Sequence, residues 1–250
     1  MISIVVPTKD SPKYLDLTLR ALKLHTDGEY ELVIVENSTE PELKKESLKV
    51  SKETYPDALV VDYHRSDTEY FGCGQAFALG SDVSNAGNDD WLCFVHSDVI
   101  VPPHWLKQSL ELINFLPEKE ILGMAALCGQ GIAGGGKPQQ MMMATGYPYP
   151  LRCPRLVDSC SVFNAGNYRK VGGYDRTFPA SGYIDDDLCY RFNKAGYVNF
   201  ALPVYAMNFG QRSFFVNETR DELANYDKDM VAGLNEMNKR YGIRWLWEMF

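Results

Sequence analysis

Glycine is missing from the place where nucleotide-binding folds often show it. The first apolar run, Ile2 to Val6, leads into Pro7-Thr8-Lys9-Asp10-Ser11-Pro12. Neither a G-x-G-x-x-G fingerprint nor a G-x-x-x-x-G-K loop follows that run. Any nucleotide must then be held by side chains and ordinary backbone groups. A basic block is also lacking. The chain carries 25 Lys and Arg against 33 Asp and Glu, a net charge of −8, so nucleic acid is a poor partner. No C-x-x-C pair occurs among the six cysteines, which argues against a zinc framework. Several lie in apolar runs, where cysteine behaves as a small hydrophobe, and a reducing, cytoplasmic setting is expected. No apolar run approaches the roughly 20 residues that cross a bilayer. Residues 1–6 carry no basic leader or cleavage site, so no signal peptide is expected.

What is present is a strand–helix alternation. Ile2 to Val6 and Leu32 to Val35 read as buried strands, Ala58 to Asp62 as a third and Trp91 to Val95 as a fourth. Ser11 followed by Pro12 reads as a helix start, with Leu15, Leu19 and Leu22 on one face and Gly28 at the exit. A polar helix is expected over 41–54 and a small-residue helix from Gly72 to Gly80. Such alternation predicts parallel βαβ units through residue 116.

The second half differs. Ile121 to Leu127 and Leu156 to Phe163 read as strands, and Asp185 to Ala195 as a helix. Gly129 to Gly136 holds five glycines in eight residues and reads as a mobile loop, either a plain connection or a lid. Thr219-x-x-Glu222 is a capping box opening a last helix that Gly242 ends. The apolar tail, residues 244–250, suits docking on the core, self-association or peripheral membrane contact. Docking is expected, because seven residues are short for an anchor. The whole chain is expected to form one domain: a nucleotide-binding half (1–116), an acceptor-side half (117–215), and a C-terminal helix with its tail (216–250).

Four segments should converge on one edge of the sheet, where α/β folds bind ligands. They contribute Pro7, Thr8 and Asp10; Glu36 and Asn37; Gly72 and Gln75; and His96, Ser97 and Asp98. The first three suit a base and ribose. At the fourth, Asp98 can hold a divalent cation that in turn holds a nucleotide-sugar diphosphate; the plainer reading is a polar strand-to-turn junction. An acidic protein binds a diphosphate only where local cations overcome the repulsion. Asp185-Asp186-Asp187 opens a helix, so capping is the plain explanation of those acids.

In this order the segments resemble the family-2 glycosyltransferases of the GT-A fold, in particular the inverting, rhamnosyltransferase-like members. ISIVVPTKD is similar to the family's nucleotide-binding opening strand, and VIVENST to its V-x-D-x-S-T segment, with Glu36 for the usual Asp. FGCGQAFALG resembles its glycine-bearing helix, and DDWLCFVHSDVIVPPHWL the segment with the Asp-x-Asp metal motif. VGGYDRTF and DDDLCYR resemble its G-G-F-D-E and E-D-x-D-L-x-x-R motifs. The resemblance covers roughly residues 1–210. It implies an α/β fold with a mostly parallel central sheet flanked by helices. It also implies hexosyl or deoxyhexosyl transfer from a UDP-sugar to a glycan or lipid-linked saccharide.

The departures matter. His96 stands for the first Asp of Asp-x-Asp, Ile184 for a Glu, and Asn208 for a His that ligates metal in many members. The implied ligands are Asp98, His96 and Asn208, and an imidazole favours manganese over magnesium. Asp185 and Asp187 are the candidate catalytic acids. They lie about 200° apart around a helix, so they cannot share one role, and Asp185 is the expected base. Arg191 is the expected structural partner of one aspartate. Arg65, Lys137 and Arg212 are candidate added cations, and His25, His64 and His104 have no assigned role. Two other readings stand beside transfer. One is a nucleotide-sugar-binding domain with weak or lost activity. The other is a sugar-phosphate nucleotidyltransferase, which would want a glycine-rich loop after the first strand.

Overall fold

The computed structural model describes residues 1–63, 71–130, 138–209 and 220–245. Among the described residues nine strands form one sheet in the order β3-β2-β1-β4-β8-β6-β9-β5, with β7 also paired to β9. The strands are β1 (Ile2–Thr8), β2 (Glu31–Glu36), β3 (Leu59–Asp62), β4 (Trp91–Val95), β5 (Val99–Ile100), β6 (Leu122–Gln130), β7 (Leu151–Arg152), β8 (Cys160–Asn164) and β9 (Val198–Asn208). The pairs β3–β2, β2–β1, β1–β4 and β6–β9 are parallel; β8, β5 and β7 join antiparallel. Six strands, β1 to β4 with β6 and β9, therefore end at the same edge.

Helices cover both faces. On one lie α1 (Pro12–His25), α2 (Pro41–Thr54) and α4 (Trp105–Asn114), over Ile4, Ile34 and Val95. On the other lie α3 (Cys73–Val83), α5 (Pro138–Thr145), α6 (Ala165–Lys170), α7 (Ile184–Lys194) and α8 (Arg220–Tyr241), over Val5, Phe94 and Ala126. The alternation along β1 explains the split: Ile4 and Val6 face the first group and Val5 the second. The small residues of α3 let it sit close to the sheet. A Cβ on Gly80 would come within 2.2 Å of Val5 Cγ1. Gly74 does the same between helices, since its Cβ would meet Ile184 Cδ1 at 2.2 Å. The first turns of α3 and α7 are thereby pressed together.

Three expectations need correction. Ser11 occupies the N-cap position of α1, with Pro12 behind it, but its hydroxyl makes no cap bond. The strand expected over 156–163 is confined to Cys160–Asn164. Arg155 and Asp158 turn away to partners on other elements, which breaks the run. Gly129 and Gln130 belong to β6 and not to a loop. The rest of that glycine segment, 131–137, lies outside the described residues, as do Thr219, His64, Arg65, Arg212 and 246–250. The start of the tail docks as expected: Trp245 is fully buried, edge-on to Tyr183, and its Nε1–H donates to Asn238 at 3.0 Å.

Candidate active site

The shared strand ends bring β1, β2 and β4 side by side. Thr8 pairs with Glu36, and the Asn37 N–H donates to the Thr8 carbonyl at 3.0 Å. Pro7 sits one residue back, opposite Val35. Thr8 Oγ1 and Glu36 Oε2 are both buried, and neither makes a hydrogen bond among the described residues. A buried polar atom left unmatched costs about 1–3 kcal/mol, and the Glu36 carboxyl lies against Ser47 and Lys44 of α2. The other Glu36 oxygen accepts the Ser38 N–H at 2.6 Å. Burial pushes the Glu36 carboxyl above the usual range, with the hydrogen bonds from Ser38 and the charge of Lys44 acting the other way.

Two of the expected nucleotide contacts, Asp10 and Gln75, make structural bonds. Asp10, in the left-handed region at φ 50°, accepts the N–H groups of Thr39 and Glu40 at 2.9 and 3.1 Å and the Thr39 hydroxyl at 2.9 Å. It ties the loop after β1 to the start of α2. Gln75 is buried. Its oxygen accepts the Gly72 N–H at 3.1 Å and its amide donates to the Phe178 carbonyl at 2.5 Å, so it fixes the first turn of α3. That bond also occupies the Gly72 N–H. Asn37 is buried too and donates weakly to the Phe71 carbonyl at 3.4 Å.

His96 leaves β4 towards α3. Its Nε2 lies 3.4 Å from Cys73 Sγ and 3.5 Å from Asp158 Oδ1, and its ring packs on Phe77. Tyr174 donates its hydroxyl to Asp158. Burial opposes the imidazolium while Cys73 and Asp158 favour it, and the balance lies above the ordinary histidine value. Both neighbours address the same ring nitrogen, so this is not a relay through the ring. Ser97 and Asp98 are buried at the turn that follows. The Phe209 N–H donates to the Asp98 carbonyl at 3.0 Å, and Asn208 pairs with Val99. Asp98 and Asn208 are thus brought within one residue of each other across the ladder.

Among the described residues no group of three or more His, Cys, Asp and Glu is placed to hold a metal. With Nε2 committed, His96 offers a cation only Nδ1, which weakens the argument for manganese. One carboxylate and an amide oxygen fit an ion held mainly by a diphosphate and water, as magnesium commonly is.

The three consecutive acids of α7 separate. Asp186 is buried and takes a two-pronged bond from Arg155, 2.8 Å at each prong. Asp187 is fully buried. It accepts Arg191 at 2.8 and 2.6 Å and the Tyr241 hydroxyl at 2.7 Å, with Arg240 3.7 Å away. Among the described residues Asp187 is engaged by these bonds, which link α7 to α8 and argue for an anchoring role over the catalytic one. Arg191 is the structural partner expected of it. Asp185 alone stays half-buried, in the first turn of α7, where the helix dipole stabilises an anion. Arg155, Asp158 and Tyr241 had no motif to mark them, and Tyr174 was marked only as part of VGGYDRTF, because each finds its partner across elements apart in sequence.

The fold is that of known GT-A glycosyltransferases. GalNAc-T7, solved with UDP, GalNAc and Mn2+, matches with a TM-score of 0.66 at 16% identity, over 83% of this chain and 43% of that one. S. aureus TarS 1–349, in complex with UDP, matches with a TM-score of 0.57 at 16% identity, over 95% and 72%. The chain thus spans less than half the length of the GalNAc-T7 chain. No curated protein sequence matches. The profile described as Glycosyl transferase family 2 matches residues 3–172, and the chain belongs to that family.

Proposed function

We propose that this glycosyltransferase moves a hexosyl or deoxyhexosyl group from a UDP-sugar to a glycan or lipid-linked saccharide, with inversion, and that Asp185 is the base. The observation carrying this reading is the division of labour in α7. Asp186 and Asp187 are locked in buried ion pairs, and Asp185 is half-buried on a turn packed against the start of α3. As the acceptor oxygen attacks the anomeric carbon, Asp185 takes its proton. The bond from that carbon to the diphosphate oxygen breaks, and UDP leaves with the electron pair. Thr8, Glu36 and Asn37 would meet the nucleoside, and Ser97 lies where the diphosphate would pass. Asp98 and Asn208 would hold a divalent cation which, when bound, neutralises the departing diphosphate. A cytoplasmic setting belongs to this reading and rests on six free cysteines.

A second reading is favoured by one observation. His96 Nε2 is turned to Asp158 and Cys73, leaving Asp98 as the sole carboxylate of the motif. A domain that binds nucleotide sugar and transfers weakly would look like this. Incubation with a panel of UDP-sugars, reading UDP release with and without saccharide acceptors, separates the two. Acceptor-dependent release that Asp185→Asn abolishes supports transfer; donor binding without release supports the binding domain.

A further inference from the structure

Near the end of β9 the buried pattern opens. Val204 and Ala206 face the core under α1 and α4, while Tyr205 and Met207 are 42% and 47% exposed on the opposite face, the one carrying α3 and α7. The turn between α5 and β7 adds Tyr147 and Tyr149, 44% and 66% exposed, their rings edge-to-face at 6.0 Å. The Tyr205 hydroxyl reaches the Tyr147 carbonyl at 3.5 Å, which joins the two elements, and Met141 of α5, the helix before that turn, is 58% exposed. Contiguous exposed aromatics of this kind mark binding surfaces.

We infer that Tyr147, Tyr149 and Tyr205 form the platform on which the acceptor saccharide rests. This rests on the transferase reading, which requires such an acceptor. Each tyrosine presents an apolar ring with a polar tip, matching a sugar's C–H face and hydroxyl rim. The patch residues Met141, Tyr147, Tyr149, Tyr205 and Met207 carry no charge, which disfavours an anionic surface as the occupant. Position gives the last argument. Tyr205 is three residues before Asn208, hence about 10 Å along the strand, and Asn208 adjoins Asp98 at the donor edge.

The probe is a printed array of oligosaccharides, with calorimetric UDP binding measured in parallel. The parent protein should bind at least one saccharide. Tyr149→Ala and the double variant Tyr149→Ala/Tyr205→Ala should weaken that binding tenfold or more while UDP affinity and melting temperature hold. Tyr149→Trp should retain it. Saccharide binding unchanged in both alanine variants would overturn the platform, as would an array on which nothing binds. So would loss, in the variants, of self-association or of binding to phosphatidylglycerol vesicles instead. If saccharide binding depends on the tyrosines but the parent binds no UDP, the platform stands and the transferase reading fails.

Discussion

Tyr241, at the end of α8, donates its hydroxyl hydrogen to Asp187 in the first turn of α7 at 2.7 Å. That bond, with Arg240 of α8 3.7 Å from the same carboxylate, ties the last helix to the element that carries Asp185. Asp229 strengthens the tie, since its carboxylate accepts the Ser181 and Gly182 N–H groups just ahead of α7. The C-terminal helix thus holds α7 from two sides.

Removing the Tyr241 hydroxyl tests that link. Tyr241→Phe keeps the ring packed on Tyr190 but deletes a bond to a buried charge. The expected loss is about 1.5–3 kcal/mol, read as a lower urea midpoint with UDP affinity unchanged. Arg191→Ala strands a buried carboxylate and should cost more, about 3–5 kcal/mol. Wild-type stability in Tyr241→Phe would separate α8 from α7, and wild-type stability in Arg191→Ala would remove the pair within α7 as a support of Asp187.

Asp185 and Asp187 should fail differently when each is changed to Asn. Asp185→Asn should keep the melting temperature and UDP binding and slow transfer about a hundredfold or more. Asp187→Asn should lower the melting temperature first, because it weakens a buried ion pair. Transfer at the parent rate in folded Asp185→Asn would remove that residue as base.

Glu36 predicts a pH dependence. Burial raises its carboxyl in the folded protein. Between the unfolded glutamate value and that raised value, the folded chain holds the extra proton. Its contribution to stability is therefore full below the unfolded value and is lost as pH rises through the folded one. Glu36→Gln should remove this slope. Urea titrations of both proteins from about pH 4 to pH 8, the range spanning ordinary carboxylate titration and beyond, should show the curves diverging as pH rises. Parallel curves would place the carboxyl in an unperturbed environment.

Cation dependence is the fourth expectation. UDP binding should weaken at least tenfold in chelator, because an acidic protein needs a counter-charge at the diphosphate. Asp98→Asn should bind UDP equally with and without the ion. Calorimetry with magnesium and with manganese reads both. Equal affinity of the parent protein in chelator would take the metal out of the site.

Periodicity alone determined the first half of this protein. β-branched runs ending in polar residues read as strands, and the leucine spacing of α1 as one helical face. The order of motifs likewise pointed to the family, and the four-residue step from Asp187 to Arg191 allowed a pair on one helix face. The structure alone decided which acid is buried and which is half-exposed. Adjacent residues on a helix point about 100° apart, so Asp185, Asp186 and Asp187 meet different neighbours. Those neighbours, Arg155 and Tyr241, come from distant segments. His96 was similarly undecided in sequence. A side chain at a strand end takes the direction its packing leaves open, and here Asp158, Cys73 and Phe77 turn it towards α3. Asp10 and Gln75 went to structural use for the same reason. A short polar side chain beside a helix start bonds the unpaired backbone N–H groups there, and only the folded chain shows which helix start is near.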